Sequence, residues 1–430
     1  MQGEKESKLR SQSASETSGS ASSAKNGSCD RNGNDYERVV GREATVSVVM
    51  PCYNAAAYLD GIYDLLERQP YEHWELIAVD DASTDETAST LERYAAADER
   101  ITPVLLEANG GAAAARNAGL ARARSEYVWF LDPDDDFDPS LLVEALDALE
   151  TTDADVVIFG CREESYDAAG VLRSSRDALP PVSGVLSGDE LHRAILDLEE
   201  STLYGYAWNK VYRRAAIGAA RFPNVMLAED LLFNVEVFDH VERAVFIQKP
   251  LYHYKKRLRS NLTNRFNKQY YTEHRMRIEA LYSQQVRWGL DSDETRSRLG
   301  SLYGRYIISA LERNCDKRAE MSHADRVAWC RELVRDPLFT TLVQGAHSRG
   351  GAALEACLAL IKTGSPALML ALGRLVHFWA IPSNSLTNTS RTSSTSPNCT
   401  TSWICRLRTI RAVWWRASHS RSRRLPSPTS

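Results

Sequence analysis

The chain lacks several features that define common protein classes. Its eight cysteines are scattered without a Cys-x-x-Cys pair, so we expect a reduced, cytosolic protein rather than a zinc module or a disulfide scaffold. No Gly-x-Gly-x-x-Gly follows the first predicted strand, which argues against a dinucleotide dehydrogenase. No uninterrupted apolar run reaches the roughly 20 residues that cross a bilayer. The start of the chain has no apolar run either, so neither a secretory signal nor a membrane anchor is expected there.

Acidic residues and lysine are absent from residues 383–430, which contain eight arginines. This segment therefore carries +8, and the remainder of a chain with net charge −5 carries −13. An acidic body is not typical of a nucleic-acid-binding protein. The Ser/Thr/Arg-rich composition of 383–430 and the polar composition of residues 1–43 predict a disordered tail and a disordered leader.

Alternating strand and helix patterns over residues 46–131 predict an α/β fold with a mixed, mostly parallel sheet. Runs rich in β-branched residues at 46–51 and 74–79 flank a helix with one apolar stripe, which is the βαβ pattern. Residues 101–106 predict an edge strand, because Pro103 cannot donate to a strand ladder. Ser83, followed three positions later by Glu86, fits a capping box at the start of the next helix.

Polar residues follow the predicted strands at the edge where open α/β sheets bind ligands. Asp80 and Asp81 end the second strand. We expect one of the pair to accept hydrogen bonds from a base or ribose; the alternative is that Asp81 only caps the turn. Gly110 opens an alanine-rich helix, and its amide is suited to a diphosphate or only starts the helix. Arg116 adds a cation for a ligand or for a surface salt bridge.

The strand predicted at 127–131 runs directly into four aspartates within residues 132–136. Carboxylates this close raise one another's pKa unless a cation offsets their charge. A calcium-binding EF-hand is excluded, because Phe137 and Val143 replace the glycine and glutamate that its loop requires. A solvated acidic turn is the alternative, although an apolar strand seldom leads into one. The leading hypothesis is a divalent metal that carries a phosphorylated substrate.

Four blocks in this order resemble the family 2 glycosyltransferases, inverting enzymes of the A-type glycosyltransferase (nucleotide-diphospho-sugar transferase) fold. The blocks are residues 48–54, 79–85, 109–119 and 130–135. The resemblance implies that Mn²⁺ or Mg²⁺ is held by Asp132 and Asp134 against the diphosphate of a nucleotide sugar. It also implies a nucleotide-sugar site formed by Pro51, Tyr53, Asn54, Asp80, Asp81, Gly110, Arg116, Asp132 and Asp135.

The same resemblance covers residues 228–233 and 206–214. It identifies Asp230 as the general base for the acceptor hydroxyl, with Glu229 beside it; without the resemblance, Asp230 reads as a helix cap. Trp208, Asn209 and Lys210 are expected on the acceptor side, with Trp208 either a platform for a sugar ring or a core residue. Residues 251–257 form an aromatic and basic cluster that approaches the diphosphate in relatives.

The implied activity is inverting, metal-dependent sugar transfer to a hydroxyl of a saccharide or lipid-linked saccharide, in cell-surface polysaccharide synthesis. Two alternatives stay open. A nucleotidyltransferase that makes nucleotide sugars would need a Gly-rich, basic loop after the first strand, and a non-catalytic binding protein would keep only the fold.

The domain organisation expected is a catalytic domain over 44–265 and a helical C-terminal region over 266–382. Residues 352–381 predict either a docked pair of helices or an amphipathic element lying on a surface. We expect a cytoplasmic protein. Tryptophans among the arginines of 383–430 add the hypothesis of contact with an anionic membrane at its inner face.

Overall fold

The chain folds around a mixed β-sheet, which confirms the predicted α/β class. The computed structural model describes residues 28–29, 35–36, 45–167, 169–257, 266–348 and 350–380. Within the predicted leader it describes only a two-stranded antiparallel pair, β1 (Ser28–Cys29) and β2 (Asp35–Tyr36). The predicted tail lies outside the described residues, so disorder in both segments stays a prediction.

Residues 46–130 form the parallel part of the sheet and three helices that pack on it. The elements are β3 (Val46–Cys52), α1 (Ala56–Glu67), β4 (Trp74–Asp80), α2 (Thr87–Ala97), β5 (Ile101–Leu105), α3 (Gly111–Leu120) and β6 (Tyr127–Phe130). Strands β6, β3, β4 and β5 are parallel neighbours, and β5 is the edge strand that Pro103 predicts. The carboxyl ends of β3, β4 and β6 therefore meet at one edge of the sheet.

The second half of the sheet is mixed. Its elements are β7 (Asp136–Phe137), α4 (Leu141–Thr152), β8 (Val156–Tyr166), β9 (Leu172–Ala178), β10 (Gly184–Ser187), α5 (Gly188–Glu200), β11 (Lys210–Arg213), α6 (Arg214–Ile217), α7 (Glu229–Val237) and β12 (Arg243–Arg257). The main strand order is β10-β12-β8-β11-β6-β3-β4-β5. Strand β11 is antiparallel to both β6 and β8, and so joins the two parallel groups.

Strand β12 changes register at Pro250. Proline cannot donate to the ladder and is tolerated at such irregularities. Beyond this point Tyr252 and His253 pair with β7, which begins at Asp136, the last of the four aspartates. Residues 132–136 are called the acidic loop. The end of β12 is thereby held over residues 132–136.

Helices fill the remainder of the described chain, as the helical patterns predict. They are α8 (Tyr270–Arg287), α9 (Asp293–Arg313), a 3₁₀ turn (Lys317–Ala319), α10 (His323–Arg335), α11 (Pro337–Leu342), α12 (Ala352–Lys362) and α13 (Pro366–Ala380). At Gly300 in α9 an added Cβ would lie 2.0 Å from the carbonyl oxygen of Leu342, so only glycine allows the chain after α9 to pack this closely.

The predicted docked pair corresponds to α12 and α13. Leu358 and Ile361 of α12, and Met369 and Leu372 of α13, are buried in the core. In the part of the chain that the structure describes, no helix combines the length and apolar character needed to span a membrane.

The capping box predicted at Ser83 and Glu86 is wrong. Helix α2 begins later, at Thr87, and Asp85 Oδ1 accepts the Thr87 amide at 3.0 Å. The Ser83 hydroxyl instead accepts the amide of Asn54 at 2.9 Å. The Ser83 hydroxyl is therefore bonded to the backbone of another loop and does not cap α2.

Candidate active site

The carboxylate of Asp81 closes the loop that leads into α3. Its Oδ1 accepts the Gly110 amide at 2.7 Å, and its Oδ2 accepts the Gly111 amide at 2.8 Å. At Gly110 an added Cβ would lie 2.7 Å from the Cβ of Ala114, so the position has no room for a side chain. Asp81 therefore caps the turn. The amide of Gly110 is already occupied, which is a correction to its predicted contact with a diphosphate.

Asp80 is the member of the pair with spare hydrogen-bonding capacity. It is 3% exposed, and its Oδ2 accepts the Ser83 amide at 3.2 Å. Among the described residues, no donor reaches its buried Oδ1. A buried oxygen without a donor costs free energy, so Asp80 is the carboxylate suited to accept a hydrogen bond from a ligand.

Residues 51–54 form one wall of the site. Asn54 has a left-handed backbone (φ 50°), and its Oδ1 accepts the Thr84 amide at 2.8 Å. This side chain ties the loop after β3 to the loop after β4. Tyr53 is 51% exposed, so its aromatic side chain is accessible to a ligand at this wall. Pro51 is partly buried.

Arg116 lies at the centre of the site. Its guanidinium donates to Asp132 Oδ1 at 2.9 Å and to Asp230 Oδ1 at 3.0 Å, and lies 3.6 Å from Glu229 Oε1. The residue is only 5% exposed, so the predicted alternative of a surface salt bridge is wrong. Although burial alone would lower the pKa of Arg116, the surrounding carboxylates, Asp230 first, raise it.

Residues near the end of β12 contact the acidic loop and hold it in place. Asp135 is buried, and accepts the Lys255 amide at 2.8 Å and the Tyr252 hydroxyl at 3.1 Å. Arg257 contacts Asp134 Oδ2 at 3.1 Å. The sequence marked residues 251–257 as a cluster but assigned no partners, because Lys255 lies 120 positions after Asp135 and no local pattern links them.

Two carboxyl groups of this loop resist ionisation. Burial raises the pKa of Asp135 well above its ordinary value, with the charges of Asp134 and Asp132 adding to the effect. Burial and then the charge of Asp132 raise the pKa of Asp134, against the opposing charge of Arg257. Both groups are therefore harder to ionise than free aspartates, chiefly because they are buried.

Glu229 and Asp230 open α7 and face the acidic loop across Arg116. Asp230 Oδ2 accepts the Ala207 amide at 3.2 Å, while its Oδ1 takes the bond from Arg116. Burial raises the pKa of Asp230, and Arg116 opposes the shift. Burial, with the charge of Asp230 next, raises the pKa of Glu229. A carboxylate with a raised pKa is a stronger base once it is ionised.

The side chains predicted on the acceptor side face the protein interior instead. Both faces of Trp208 are covered, by Tyr206 and Tyr252 with ring centroids 4.4 Å away in each case. Asn209 and Lys210 are fully buried, and the Lys210 ammonium donates to the carbonyls of residues 203, 204 and 206. Burial lowers the pKa of Lys210 to about 7. These residues support the loop 203–207, so we replace the predicted direct acceptor contact with a supporting role.

The carboxylates of Asp132 and Asp134 fit a hard divalent cation. Mg²⁺ and Mn²⁺ prefer oxygen ligands, and Mg²⁺ is often held by one or two carboxylates together with substrate phosphates. In the described part of the chain, no group of three or more His, Cys, Asp or Glu side chains is arranged to hold a metal. A metal at this loop would therefore take its remaining ligands from a diphosphate and from water.

Comparisons with known proteins identify relatives of the chain. The family model described as "Glycosyl transferase family 2" matches residues 47–218. The teichuronic acid biosynthesis glycosyltransferase TuaG of Bacillus subtilis, named as putative, is 34% identical over 187 residues, which cover 43% of this chain and 69% of TuaG. An uncharacterized glycosyltransferase of the same organism, EpsJ, is 31% identical over 216 residues, covering 49% of this chain and 60% of EpsJ. The match thus spans less than two thirds of EpsJ.

Solved structures share the fold. The crystal structure of Staphylococcus aureus TarS 1–349 in complex with UDP-GlcNAc has a TM-score of 0.55 and 18% sequence identity. The match covers 78% of this chain and 92% of the TarS chain. It therefore includes part of the helical region as well as the sheet.

Proposed function

The chain belongs to glycosyl transferase family 2, and from this premise we propose that it transfers a sugar from a nucleotide-diphosphate sugar to a hydroxyl of a saccharide or glycoconjugate acceptor. The expected context is cell-surface polysaccharide synthesis. The observation that carries the proposal is the Arg116 bridge. One buried guanidinium holds both Asp132, at the proposed diphosphate end, and Asp230, the proposed base.

The reaction we propose is a direct displacement. The acceptor oxygen attacks the anomeric carbon while Asp230 takes the hydroxyl proton, and the bond from that carbon to the diphosphate oxygen breaks. The nucleoside diphosphate leaves with the bonding electron pair, and the anomeric centre inverts. Because Asp230 is held by Arg116 and by the Ala207 amide, its orientation is fixed before the acceptor arrives, which favours general base catalysis.

The donor side of the site is formed by Asp80, Tyr53 and the acidic loop. The spare Oδ1 of Asp80 suits a donor group of a base, and the exposed Tyr53 ring suits its face. A divalent cation held by Asp132 and Asp134 would stabilise the negative charge that develops on the departing diphosphate. TarS has been crystallised with UDP-GlcNAc, so this nucleotide sugar is the first donor to test.

Two observations argue against the alternatives. A nucleotidyltransferase would need a Gly-rich loop of free amides after β3 for a triphosphate, whereas Asn54 ties that loop to Thr84. A binding protein that keeps only the fold has no need to bury Arg116 among three carboxylates, an arrangement with a large desolvation cost.

The test combines donor binding with turnover. Thermal shift is measured with UDP, GDP and their sugars in the presence of Mn²⁺ or Mg²⁺, and turnover as nucleoside diphosphate released with a panel of saccharide acceptors. We expect Asp230→Asn to keep the donor-induced shift and to lose about 100-fold or more in turnover. Asp147→Asn, an exposed change on α4, is the matched control. Full activity in Asp230→Asn would remove it as base, and no shift with any nucleotide would overturn the proposed function.

The metal has its own test. Asp134→Ala is expected to abolish the part of the donor-induced thermal shift that depends on Mn²⁺ or Mg²⁺, because the variant lacks one proposed ligand. Turnover by the wild type that is unchanged by EDTA would remove the metal assignment and leave the base assignment standing.

We also propose peripheral contact with an anionic membrane at the cytoplasmic face. On α13, Leu368, Leu375 and Phe378 share one helical face and are 41%, 53% and 72% exposed. The arginine-rich residues 383–430 follow in the sequence. The fraction of protein that sediments with phosphatidylglycerol vesicles should be lower for a chain ending at Pro382 than for the full chain. It should be lower still when Leu375→Asp is added to the shortened chain. Equal binding by all three proteins would contradict the proposal.

A further inference from the structure

One face of α8 carries three polar residues that are largely withdrawn from solvent. Glu273, Arg277 and Gln284 are spaced by four and seven positions, so they align along the helix. Glu273 is 7% exposed and Gln284 is fully buried. Helix faces that pack on a core are usually apolar, so buried polar groups here call for specific partners.

Glu273 holds the segment that enters α7. Its Oε2 accepts the Leu227 amide at 2.8 Å, and the side-chain amide of Asn267 donates to the same oxygen at 3.4 Å. Leu227 lies two residues before Glu229 and three before Asp230. A charge-assisted bond at this point fixes the backbone from which both carboxylates project.

Arg277 holds the loop 203–207 on the other side of Asp230. It donates to Glu199 Oε1 at 3.1 Å from Nε and at 2.6 Å from the terminal nitrogen. A Cβ added at Gly205 would lie 2.8 Å from that guanidinium, so the arginine packs directly on the loop backbone. The same loop supplies the Ala207 amide that Asp230 accepts.

Gln284 joins these two supports. Its side-chain amide donates to the Val235 carbonyl of α7 at 2.9 Å, and its oxygen accepts the Tyr204 hydroxyl at 3.0 Å. Helix α8 thus contacts the segment before Asp230, the helix that carries it and the loop that hydrogen-bonds to it.

We propose that Glu273 and Arg277 are positioning residues for Asp230, so that the helical region forms part of the catalytic apparatus. This inference rests on the proposed role of Asp230 as base. The placement of a general base relative to the acceptor sets the rate of the chemical step, while the donor binds to other residues at the sheet edge. Loss of either contact is therefore expected to lower kcat and leave donor affinity unchanged.

The first experiment compares Glu273→Ala with Glu273→Gln. Glutamine keeps an oxygen that accepts the Leu227 amide. The control is Glu279→Ala, an exposed position on the same helix. With UDP-GlcNAc and Mn²⁺, we expect Glu273→Ala to lose about 10- to 100-fold in kcat, with the donor KM and the donor-induced thermal shift unchanged. Glu273→Gln should recover most of the loss, and Glu279→Ala should behave as wild type.

Hydrogen exchange supplies a readout that does not depend on turnover. Glu273→Ala should speed exchange at the amides of residues 227–230, and Arg277→Lys should speed it at Ala207. Arg277→Lys keeps the charge but not the two-nitrogen contact with Glu199. Unchanged exchange, or unchanged kcat, would overturn the inference, as would equal losses in donor binding and kcat, which indicate a purely structural role. A wild type inactive with every donor would overturn the proposed function instead, and exchange would still decide whether α8 fixes these segments.

Discussion

Replacing Arg116 with methionine removes a side chain that joins the two acidic parts of the site. Methionine keeps much of the side-chain length and flexibility, so the chief loss is the positive charge. The arginine is 5% exposed and contacts Asp132, Asp230 and Glu229. Removing one partner of a buried ion pair costs about 3–5 kcal/mol, because an uncompensated charge remains. At about 2–4 °C per kcal/mol for a domain of this size, Tm should fall by roughly 6–20 °C.

The loss of stability in Arg116→Met should depend on pH. Without the guanidinium, the pKa of Asp230, which burial already raises, rises further above its value in the unfolded chain. Between the pKa of Asp230 in the unfolded chain and its higher pKa in the folded variant, the folded state binds more protons than the unfolded state. The stability of the variant therefore falls as pH rises between these two pKa values. The deficit relative to wild type should therefore be greatest near pH 8 and should narrow near pH 5.

The measurement is Tm between pH 5 and 8, without added divalent cation, for wild type and Arg116→Met. Arg122→Met is the matched control, because Arg122 is exposed just beyond the same helix. A deficit that does not change with pH, or one as small as that of the control, would refute the assignment of Arg116 as the charge that balances these carboxylates.

Two further changes test packing and burial. Gly119→Ala should destabilise by about 1–3 kcal/mol in urea unfolding, because the added Cβ would lie 2.5 Å from the Cγ1 of Val49; wild-type stability would contradict the close contact of α3 with β3. Burial, with Arg277 and Arg313 nearby, lowers the pKa of His274 to about 3, and its ring stacks on Tyr306. Its neutral form is favoured in the fold, so His274 should contribute a loss of about 2–3 kcal/mol of stability from pH 6.5 to pH 4. The stability of wild type relative to His274→Phe, measured by urea unfolding at both pH values, should fall by that amount.

The sheet was predictable because the local composition of its strands indicates β-structure. The run 46–51 is apolar and rich in β-branched residues, and β3 is buried along almost its whole length. Pro103 marked the edge strand correctly. The acidic loop was located by the same local logic, since an apolar strand ends where the aspartates begin.

Partners distant in sequence were not predictable from local pattern. The Gly110 amide donates a hydrogen bond to Asp81, 29 positions away, and no sequence pattern near either residue predicts this contact. Lys210 was expected on the acceptor side, because lysine is seldom fully buried, yet four oxygens accept hydrogen bonds from it inside the protein. The capping box failed for the same reason, because Ser83 bonds to Asn54 in another loop.

The contacts of the acidic loop bear on the metal. In the proposed reaction a diphosphate, which is an anion, approaches Asp132, Asp134 and Asp135, and the pKa values of Asp134 and Asp135 are raised. Arg116 and Arg257 already contact Asp132 and Asp134, and Lys255 is paired with Asp136 of the same loop. If these arginines turned to the diphosphate, they would leave the aspartates uncompensated. A divalent cation that bound with the donor would offset both groups at once and would leave Arg116 on Asp230, the proposed base.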